Sequence, residues 1–172
     1  MITANIAEFI ESSVLCWLAT ASEEGIPNVS PKEAFLHDGQ GRILVANIAS
    51  PQTVRNIRIN KNVCLSFVNV FVQKGYKING EARILKSGDS RYAEAFAKLA
   101  SFIGDAFKTV SIIEIDPIKI DQIIAPSYHV FPESTELDRI RESLKTYSVA
   151  DYQKQAKQPE TVQPPTAAGP KN

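Results

Sequence analysis

The chain has 172 residues, 44% of them hydrophobic and 22% charged, which suits one hydrophobic core and is short for two domains. Its 19 basic and 19 acidic residues cancel, so no overall field draws the protein to a nucleic acid or to an anionic membrane. The sequence has neither the ~18 consecutive apolar residues of a membrane span nor the basic and apolar regions of a secretory signal. We therefore expect a cytoplasmic protein without nucleic-acid or membrane partners.

The first half of the chain has the pattern of one helix followed by several strands. Thr3 can cap a helix whose apolar residues Ile6, Phe9 and Ile10 share one face. Residues 42–48 are apolar on both faces, which predicts a central strand. The complete set of strand-like runs in this half is 14–21, 26–35, 42–48, 63–72 and 75–85, with glycine-containing turns after the first two.

The second half alternates between helical and strand patterns. Residues 90–104 have apolar side chains at helical spacing and end at Gly104, which predicts an amphipathic covering helix. Residues 109–124 alternate around Pro117, which predicts a strand that bends or lies at a sheet edge there. A last helix is predicted from about Ser134. Its apolar face consists of Leu137, Ile140, Leu144 and Tyr147.

The C-terminal composition differs from that of the rest of the chain. Residues 153–172 contain four of the ten prolines and no aromatic residue. Such a segment buries too little apolar surface to offset the entropy lost when it is ordered. We therefore predict one domain at 1–148 and a flexible tail at 149–172.

The junction at 46–63 is the most informative stretch, because an apolar strand runs through Ser-Pro into a short helix. Ser50 can cap that helix, and Pro51 suits its first position because proline has a fixed φ. Free amides of a first helical turn bind anions, and Arg55 and Arg58 add positive charge. The junction is therefore either a phosphate site or an ordinary strand-to-helix turn with solvated arginines.

The usual catalytic side-chain patterns are absent from this sequence. Its two histidines, His37 and His129, have no cysteine or carboxylate at metal-ligand spacing, so we predict no metal site. Cys16 and Cys64 lie in apolar runs, where cysteine behaves as a small hydrophobic residue. Serine-hydrolase and P-loop motifs are also missing. A chain without these groups can still be an enzyme if a bound cofactor such as a flavin carries the chemistry.

The predicted elements follow a recognisable order. It consists of a strand, a turn, a strand ending in Ser-Pro-Lys (30–32), a further strand, the Ser-Pro helix, another strand and a strand with the run Gly-Tyr-Lys-Ile-Asn-Gly-Glu-Ala (75–82). Over roughly residues 5–125 this order resembles the pyridoxamine 5′-phosphate oxidase-like family of FMN-binding split β-barrels. The resemblance implies a mainly β fold, a six-stranded antiparallel split barrel with flanking helices, which binds FMN and forms a homodimer.

The resemblance also implies which residues hold FMN. The flavin phosphate and ribityl chain would lie on the Ser-Pro-Lys strand and the strand-to-helix turn, with the ring beside the end of the preceding strand. The implied cofactor residues are Ser30, Lys32, Asn47, Ile48, Ser50, Gln52, Thr53 and Arg55. Lys32 is alternatively a surface lysine with a solvated amine. Thr53 is alternatively an ordinary polar residue of a first helical turn, and Arg55 points either inward to the phosphate or outward beside Arg58. Gln73, Lys74 and Tyr76 either contact flavin from a partner subunit or are ordinary polar hairpin residues.

Two departures from the family pattern narrow the function. Gln52 and Thr53 replace a basic pair, and the C-terminal Arg and His of authentic pyridoxamine phosphate oxidases have no counterpart. We therefore expect an FMN-dependent oxidoreductase acting on a small molecule other than pyridoxamine phosphate, or a flavin-binding carrier, sensor or store without turnover. Other relatives use haem or a deazaflavin. Candidate residues opposite the flavin are Arg83, Tyr128 and His129.

Overall fold

A computed structural model describes residues 1–103 and 111–157 of the chain. Its centre is one antiparallel sheet of seven strands in the order β2-β1-β5-β6-β7-β4-β3. The strands are β1 (Cys16–Ala21), β2 (Pro27–Lys32), β3 (Phe35–His37), β4 (Ile43–Asn47), β5 (Asn62–Asn69), β6 (Lys74–Leu85) and β7 (Ser111–Ile124). The helices are α1 (Ala4–Ser12), α2 (Pro51–Ile59), α3 (Tyr92–Leu99), α4 (Ser127–Val130), α5 (Glu136–Thr146) and α6 (Val149–Gln155).

The run predicted as one strand at 26–35 forms two strands on opposite edges of the sheet. β2 pairs with β1 up to Lys32, and β3 pairs with β4 from Phe35. Only Glu33 and Ala34 join them, so the two edges must lie close together and the sheet must curl. The backbone N–H of Ala46 donates to the Ala34 carbonyl at 2.9 Å. This change of partner confirms the split-barrel fold and accounts for seven strands rather than six.

β4 is buried on both faces, as its sequence predicts. Ile43 and Val45 belong to the apolar cluster inside the curled sheet, with Phe67 among its members. Leu44 and Ala46 point the other way, into a second cluster that α3 covers. The end of β4 is consequently fixed between two packed layers, and the turn that follows it starts from a rigid position.

The predicted bend at Pro117 is confirmed as an irregularity in the β6–β7 pairing. Gly80 pairs with Pro117 and Asn79 with Lys119, so Ile118 has no opposite residue and its side chain is 68% exposed. A Cβ on Gly80 would lie 2.5 Å from the Asp116 carbonyl oxygen, so this close approach requires glycine.

Helix α5 forms as predicted but packs through a different face. Thr135 and Asp138 make a reciprocal capping box at its start. Arg139 and Ser143 are its buried residues, and Ser143 Oγ donates to the Phe71 carbonyl at 3.0 Å. Of the predicted apolar face, Leu137, Leu144 and Tyr147 remain 61%, 41% and 48% exposed. Polar contacts to the β5–β6 turn therefore hold this helix in place, together with an edge-on contact between the Phe71 and Tyr147 rings at 6.3 Å between centroids.

The segment predicted as a tail at 149–172 begins with helix α6, and its residues from 158 onward lie outside the described part. Gly104, the predicted end of the covering helix, also lies outside it; the described part of that helix is α3 and a short 3₁₀ turn, Ala100–Phe102. Among the helices of residues 1–103 and 111–157, none is long and apolar enough to cross a membrane.

Candidate functional site

The turn from β4 into α2 has the predicted outline with a different use of Ser50. Pro51 is the first residue of α2 and Ser50 occupies the N-cap position, but its side chain makes no capping hydrogen bond within the described residues. The Ser50 hydroxyl instead accepts from Lys32 Nζ and lies 3.4 Å from Ser30 Oγ. Asn47 Oδ1 accepts from the Ser50 backbone N–H at 3.3 Å. Three predicted site residues from β2 and the turn thus meet at one point.

Lys32 is a buried cation, with 6% of its surface exposed. Among the described residues no carboxylate oxygen lies within 4 Å of its amine. Burial lowers the pKa of the Lys32 ammonium below its ordinary value. Because an isolated buried charge is costly, the position favours an anionic ligand that restores the lost solvation. This environment argues against the alternative of a solvated surface lysine.

A cavity of about 460 Å³ opens beside this lysine, and we call it the lysine cavity. Its wall combines the buried cation of Lys32, two hydroxyls and the exposed acidic residue Glu33 with small apolar groups and one aromatic ring. The residues that matter most are Ser30, Lys32, Ile48, Ala49, Ser50 and Phe102. Phe102 was not predicted as a site residue, because it reaches the cavity from the segment after α3. Such a mixed lining suits a ligand with an anionic end and an apolar part.

A second cavity, of about 730 Å³, also contacts the β4–α2 turn, and we call it the arginine cavity. It shares Ile48, Ala49 and Ser50 with the lysine cavity. Its distinctive residues are Asn47, Arg55, Arg58, Lys86, Ser87 and Ser111. Asn47 is almost fully buried and donates to Ser111 Oγ at 3.0 Å. The predicted residues Asn47 and Arg55 therefore belong to this side of the turn.

Gln52 and Thr53 lie outside the described lining of both cavities. Thr53 is 1% exposed and accepts from Asn28 Nδ2 at 3.4 Å. Gln52 Nε2 donates to Asn56 Oδ1 at 2.8 Å, and its Oε1 accepts from Arg55 Nη2 at 2.6 Å. Thr53 is buried behind the turn and Gln52 is exposed on α2; neither lies in the described lining of a cavity, and their contact with FMN stays a prediction.

The residues proposed opposite the flavin have other neighbours in the folded chain. Arg83 forms an ion pair with the buried carboxylate of Glu114. The Tyr128 hydroxyl donates to the Val72 carbonyl at 2.8 Å, and His129 lies beside it in α4. Within the described residues, neither cavity is lined by Arg83, Tyr128 or His129.

The β5–β6 turn residues are likewise held by contacts in their own chain. Lys74 Nζ lies 2.7 Å from Glu136 Oε1, and the Tyr76 ring meets the Phe9 ring edge-on at 5.3 Å between centroids. Gln73 has a positive φ of 57°, as its place in the turn requires. Intrachain packing thus accounts for their positions, and contact with a partner's ligand stays a prediction.

Comparison with known proteins agrees with this architecture. The family model described as pyridoxamine 5′-phosphate oxidase matches residues 2–124, which is most of the chain. The chain belongs to the pyridoxamine 5′-phosphate oxidase family. An uncharacterized protein of Methanocaldococcus jannaschii is 28% identical over 109 residues, which are 62% of this chain and 68% of that protein. Helices α4 to α6 lie beyond the matched segment.

Solved structures show the same fold at low sequence identity. HupZ of Group A Streptococcus is 24% identical with a TM-score of 0.60, covering 70% of this chain and 92% of that one. An FMN-binding protein from Syntrophomonas wolfei is 12% identical with a TM-score of 0.61, covering 70% and 84%. HutZ, the heme storage protein from Vibrio cholerae, is 18% identical with a TM-score of 0.56, covering 72% and 94%. At these identities the likeness shows the fold alone.

Proposed function

We propose that the protein is an FMN-binding flavoprotein that holds the cofactor in the lysine cavity. The observation that carries this proposal is the buried ammonium of Lys32, which has no carboxylate partner within the described residues. The phosphate of FMN supplies the missing negative charge, and the hydroxyls of Ser30 and Ser50 donate to its oxygens. Charge-assisted hydrogen bonds of this kind are roughly twice as strong as neutral ones.

The apolar part of the lysine cavity suits the rest of the cofactor. Ile48, Ala49 and Phe102 form a wall on which a planar ring system can lie without burying unpaired polar groups. The cavity volume of about 460 Å³ falls within the usual range for ligands of this size. One cavity thus offers a cation for the phosphate and an apolar wall for the ring system.

The residues around the cavity favour FMN over haem. Iron in haem proteins is usually held by histidine, cysteine, methionine or tyrosine. No such side chain is found in the described lining of the lysine cavity. A deazaflavin shares the phosphate and the ring shape of FMN, so the binding experiment compares the two directly.

We further propose a cytoplasmic oxidoreductase that uses the flavin to pass electrons or hydride between a small donor and an acceptor. FMN would supply the electron transfer when bound; Lys32, Ser30 and Ser50 would hold its phosphate, and Ile48, Ala49 and Phe102 would lie against its apolar part. A carrier, sensor or store would need only the lysine cavity. The adjacent arginine cavity favours an enzyme, since it offers room for a second ligand.

A homodimer is part of this proposal. On the outer face of the sheet, Trp17 lies opposite Pro31, and Ala19 lies opposite Val29. Trp17 and Val29 are 45% and 58% exposed, an unusual amount of apolar surface for two adjoining strands. A second copy covering this face would bury it. Sedimentation at micromolar concentration tests the dimer, with Trp17→Glu expected to give monomers; a monomeric parent protein would contradict it.

The cofactor is tested by titrating the purified chain with FMN, riboflavin, a deazaflavin and haemin. We expect FMN to bind most tightly, with a yellow complex and quenched flavin fluorescence. Anaerobic addition of NADH or NADPH then separates the two functional classes. Loss of the yellow colour with either nucleotide indicates an oxidoreductase, and a stable yellow colour with both indicates a carrier or store. Tighter binding of haemin than of FMN would contradict the proposal.

A further inference from the structure

The arginine cavity carries three cations and no acidic side chain among its described lining residues. Arg55, Arg58 and Lys86 reach it from α2 and from the end of β6. Of the described carboxylates, none lies within 4 Å of the charged groups of Arg58 or Lys86. The whole chain is electrically balanced, so this cavity concentrates positive charge that other parts of the surface compensate.

Arg55 is held in place before any ligand arrives. Its guanidinium donates to Gln52 Oε1 at 2.6 Å, and Gln52 donates to Asn56 Oδ1 at 2.8 Å. Asn56 is buried and donates to Thr20 Oγ1 at 3.0 Å, which ties this chain of amides to β1. An arginine held this way loses less conformational entropy when it binds an anion.

The two cavities share the Ile48–Ser50 turn but have separate charged groups. FMN carries one phosphate, and in the proposed flavin site Lys32, Ser30 and Ser50 already bind it. The three cations of the arginine cavity then remain without a counter-ion. We propose that the arginine cavity binds a second, multiply anionic ligand, a co-substrate carrying a pyrophosphate or several phosphates, next to the flavin.

That this ligand is a second one, beside the flavin, rests on the proposed function, which assigns the FMN phosphate to Lys32; the positive charge of the cavity does not. A pyrophosphate-bearing molecule in the arginine cavity would contact the same turn that supports the flavin from the other side. The proposed co-substrate is therefore an electron donor or acceptor whose phosphate groups bind in the arginine cavity. Binding would be strongly salt-dependent, since three exposed cations are screened by ions.

The experiment titrates the full chain with inorganic pyrophosphate by calorimetry in saturating FMN, so that the proposed phosphate site at Lys32 is occupied, and separately titrates the FMN-free chain with FMN. The double variant Arg58→Gln and Lys86→Gln removes two cations that the flavin proposal does not use. We expect its pyrophosphate affinity to fall about tenfold or more, because charge-assisted contacts are lost, while its FMN affinity changes less than about twofold. Lys145→Gln, an exposed lysine on α5, is the matched control and leaves both affinities unchanged.

Lys32→Met is the reciprocal variant, because it changes only the lysine cavity. It is expected to weaken FMN binding and to leave pyrophosphate affinity unchanged. The proposal is overturned if pyrophosphate binding survives the double variant, or if Lys32→Met abolishes it, because the anion would then lie elsewhere. Equal losses of FMN and pyrophosphate in the double variant would also overturn it. A parent protein that binds pyrophosphate but not FMN would refute the flavin function and leave this anion site standing.

Discussion

Two buried charged regions of this molecule differ in how their charge is compensated. Glu114 on β7 is fully buried, and its carboxylate meets the guanidinium groups of Arg83 and Arg91, the latter at 2.9 Å. Lys32 on β2 is nearly as buried, and among the described side chains its ammonium donates a hydrogen bond only to the Ser50 hydroxyl. The first region supplies its own counter-charges, whereas the second has no counter-charge among the described residues. This difference is the basis for proposing an ion pair of structural role at Glu114 and an anion site at Lys32.

Asp38 supports the same distinction. Its buried carboxylate accepts hydrogen bonds from the backbone N–H groups of Gln40 at 2.7 Å and Arg42 at 2.9 Å. The Arg91 guanidinium that pairs with Glu114 also lies 3.7 Å from this carboxylate. Both buried carboxylates are thus compensated locally, and together they attach the start of α3 to the sheet.

The largest expected effect comes from removing the counter-charges of Glu114. Arg83→Met with Arg91→Met leaves a fully buried carboxylate without a cation, which costs about 3–5 kcal/mol of unfolding free energy. Urea denaturation of the FMN-free protein measures this loss. Adding Glu114→Gln to the double variant should restore part of it, because the buried negative charge disappears. A loss below about 1 kcal/mol would show that Glu114 does not depend on its arginines.

Lys32→Met should stabilise the protein without cofactor, in contrast to the loss of the arginines at Glu114. Replacing a buried, unpaired ammonium by an apolar side chain of similar length is expected to raise the unfolding free energy by about 1 kcal/mol. Thermal unfolding followed by circular dichroism provides the measurement. A lower melting temperature would mean that the chain itself compensates this lysine, and the contrast with Glu114 would fail.

The same contrast predicts a pH dependence. The pKa of Lys32 in the fold is below its ordinary value of 10.5, so the unfolded chain binds the proton more tightly. Burial of the ammonium therefore lowers the unfolding free energy in full at a pH below the pKa of Lys32 in the folded chain. This destabilisation disappears as the pH rises from that pKa towards 10.5. The stability advantage of Lys32→Met should shrink over that window. A difference that stays constant up to pH 10.5 would contradict this assignment.

The smallest effect concerns Thr53, which the structure places behind the turn. Thr53→Val removes the acceptor for Asn28 and is expected to lower stability by about 1 kcal/mol. Its effects on FMN and riboflavin affinity should be equal and below about 0.5 kcal/mol, because a neutral contact outside the cavities is lost. Equilibrium titration of both ligands checks this; a selective loss of FMN would return Thr53 to the phosphate site.

Local patterns predicted the parts of the fold that depend on neighbouring residues. The pattern of neighbouring side chains predicts the two apolar faces of β4 and the bend at Pro117, and the structure has both. The division of 26–35 into β2 and β3 depends on pairing with two distant strands, so a continuous strand pattern concealed it.

The candidate site was predictable to a similar degree. Lys32 and Ser50 were identifiable because the Ser-Pro-Lys strand and the Ser-Pro helix are short motifs. Phe102 and Lys86 approach the cavities only through tertiary packing, one from the segment after α3 and one from the end of β6. Nothing in their sequence neighbourhood distinguishes them from ordinary surface residues.

The central claim is that Lys32 binds the phosphate of FMN, and the most direct test compares FMN with riboflavin, which lacks that phosphate. Lys77→Met, which removes a lysine already paired with Asp121, serves as the control. We predict that Lys32→Met weakens FMN binding by roughly 1.5–3 kcal/mol, about 10- to 150-fold, and leaves riboflavin affinity within about twofold of the parent protein. Equal losses for both flavins, or no loss of FMN affinity, would contradict the assignment of this buried lysine to a cofactor phosphate.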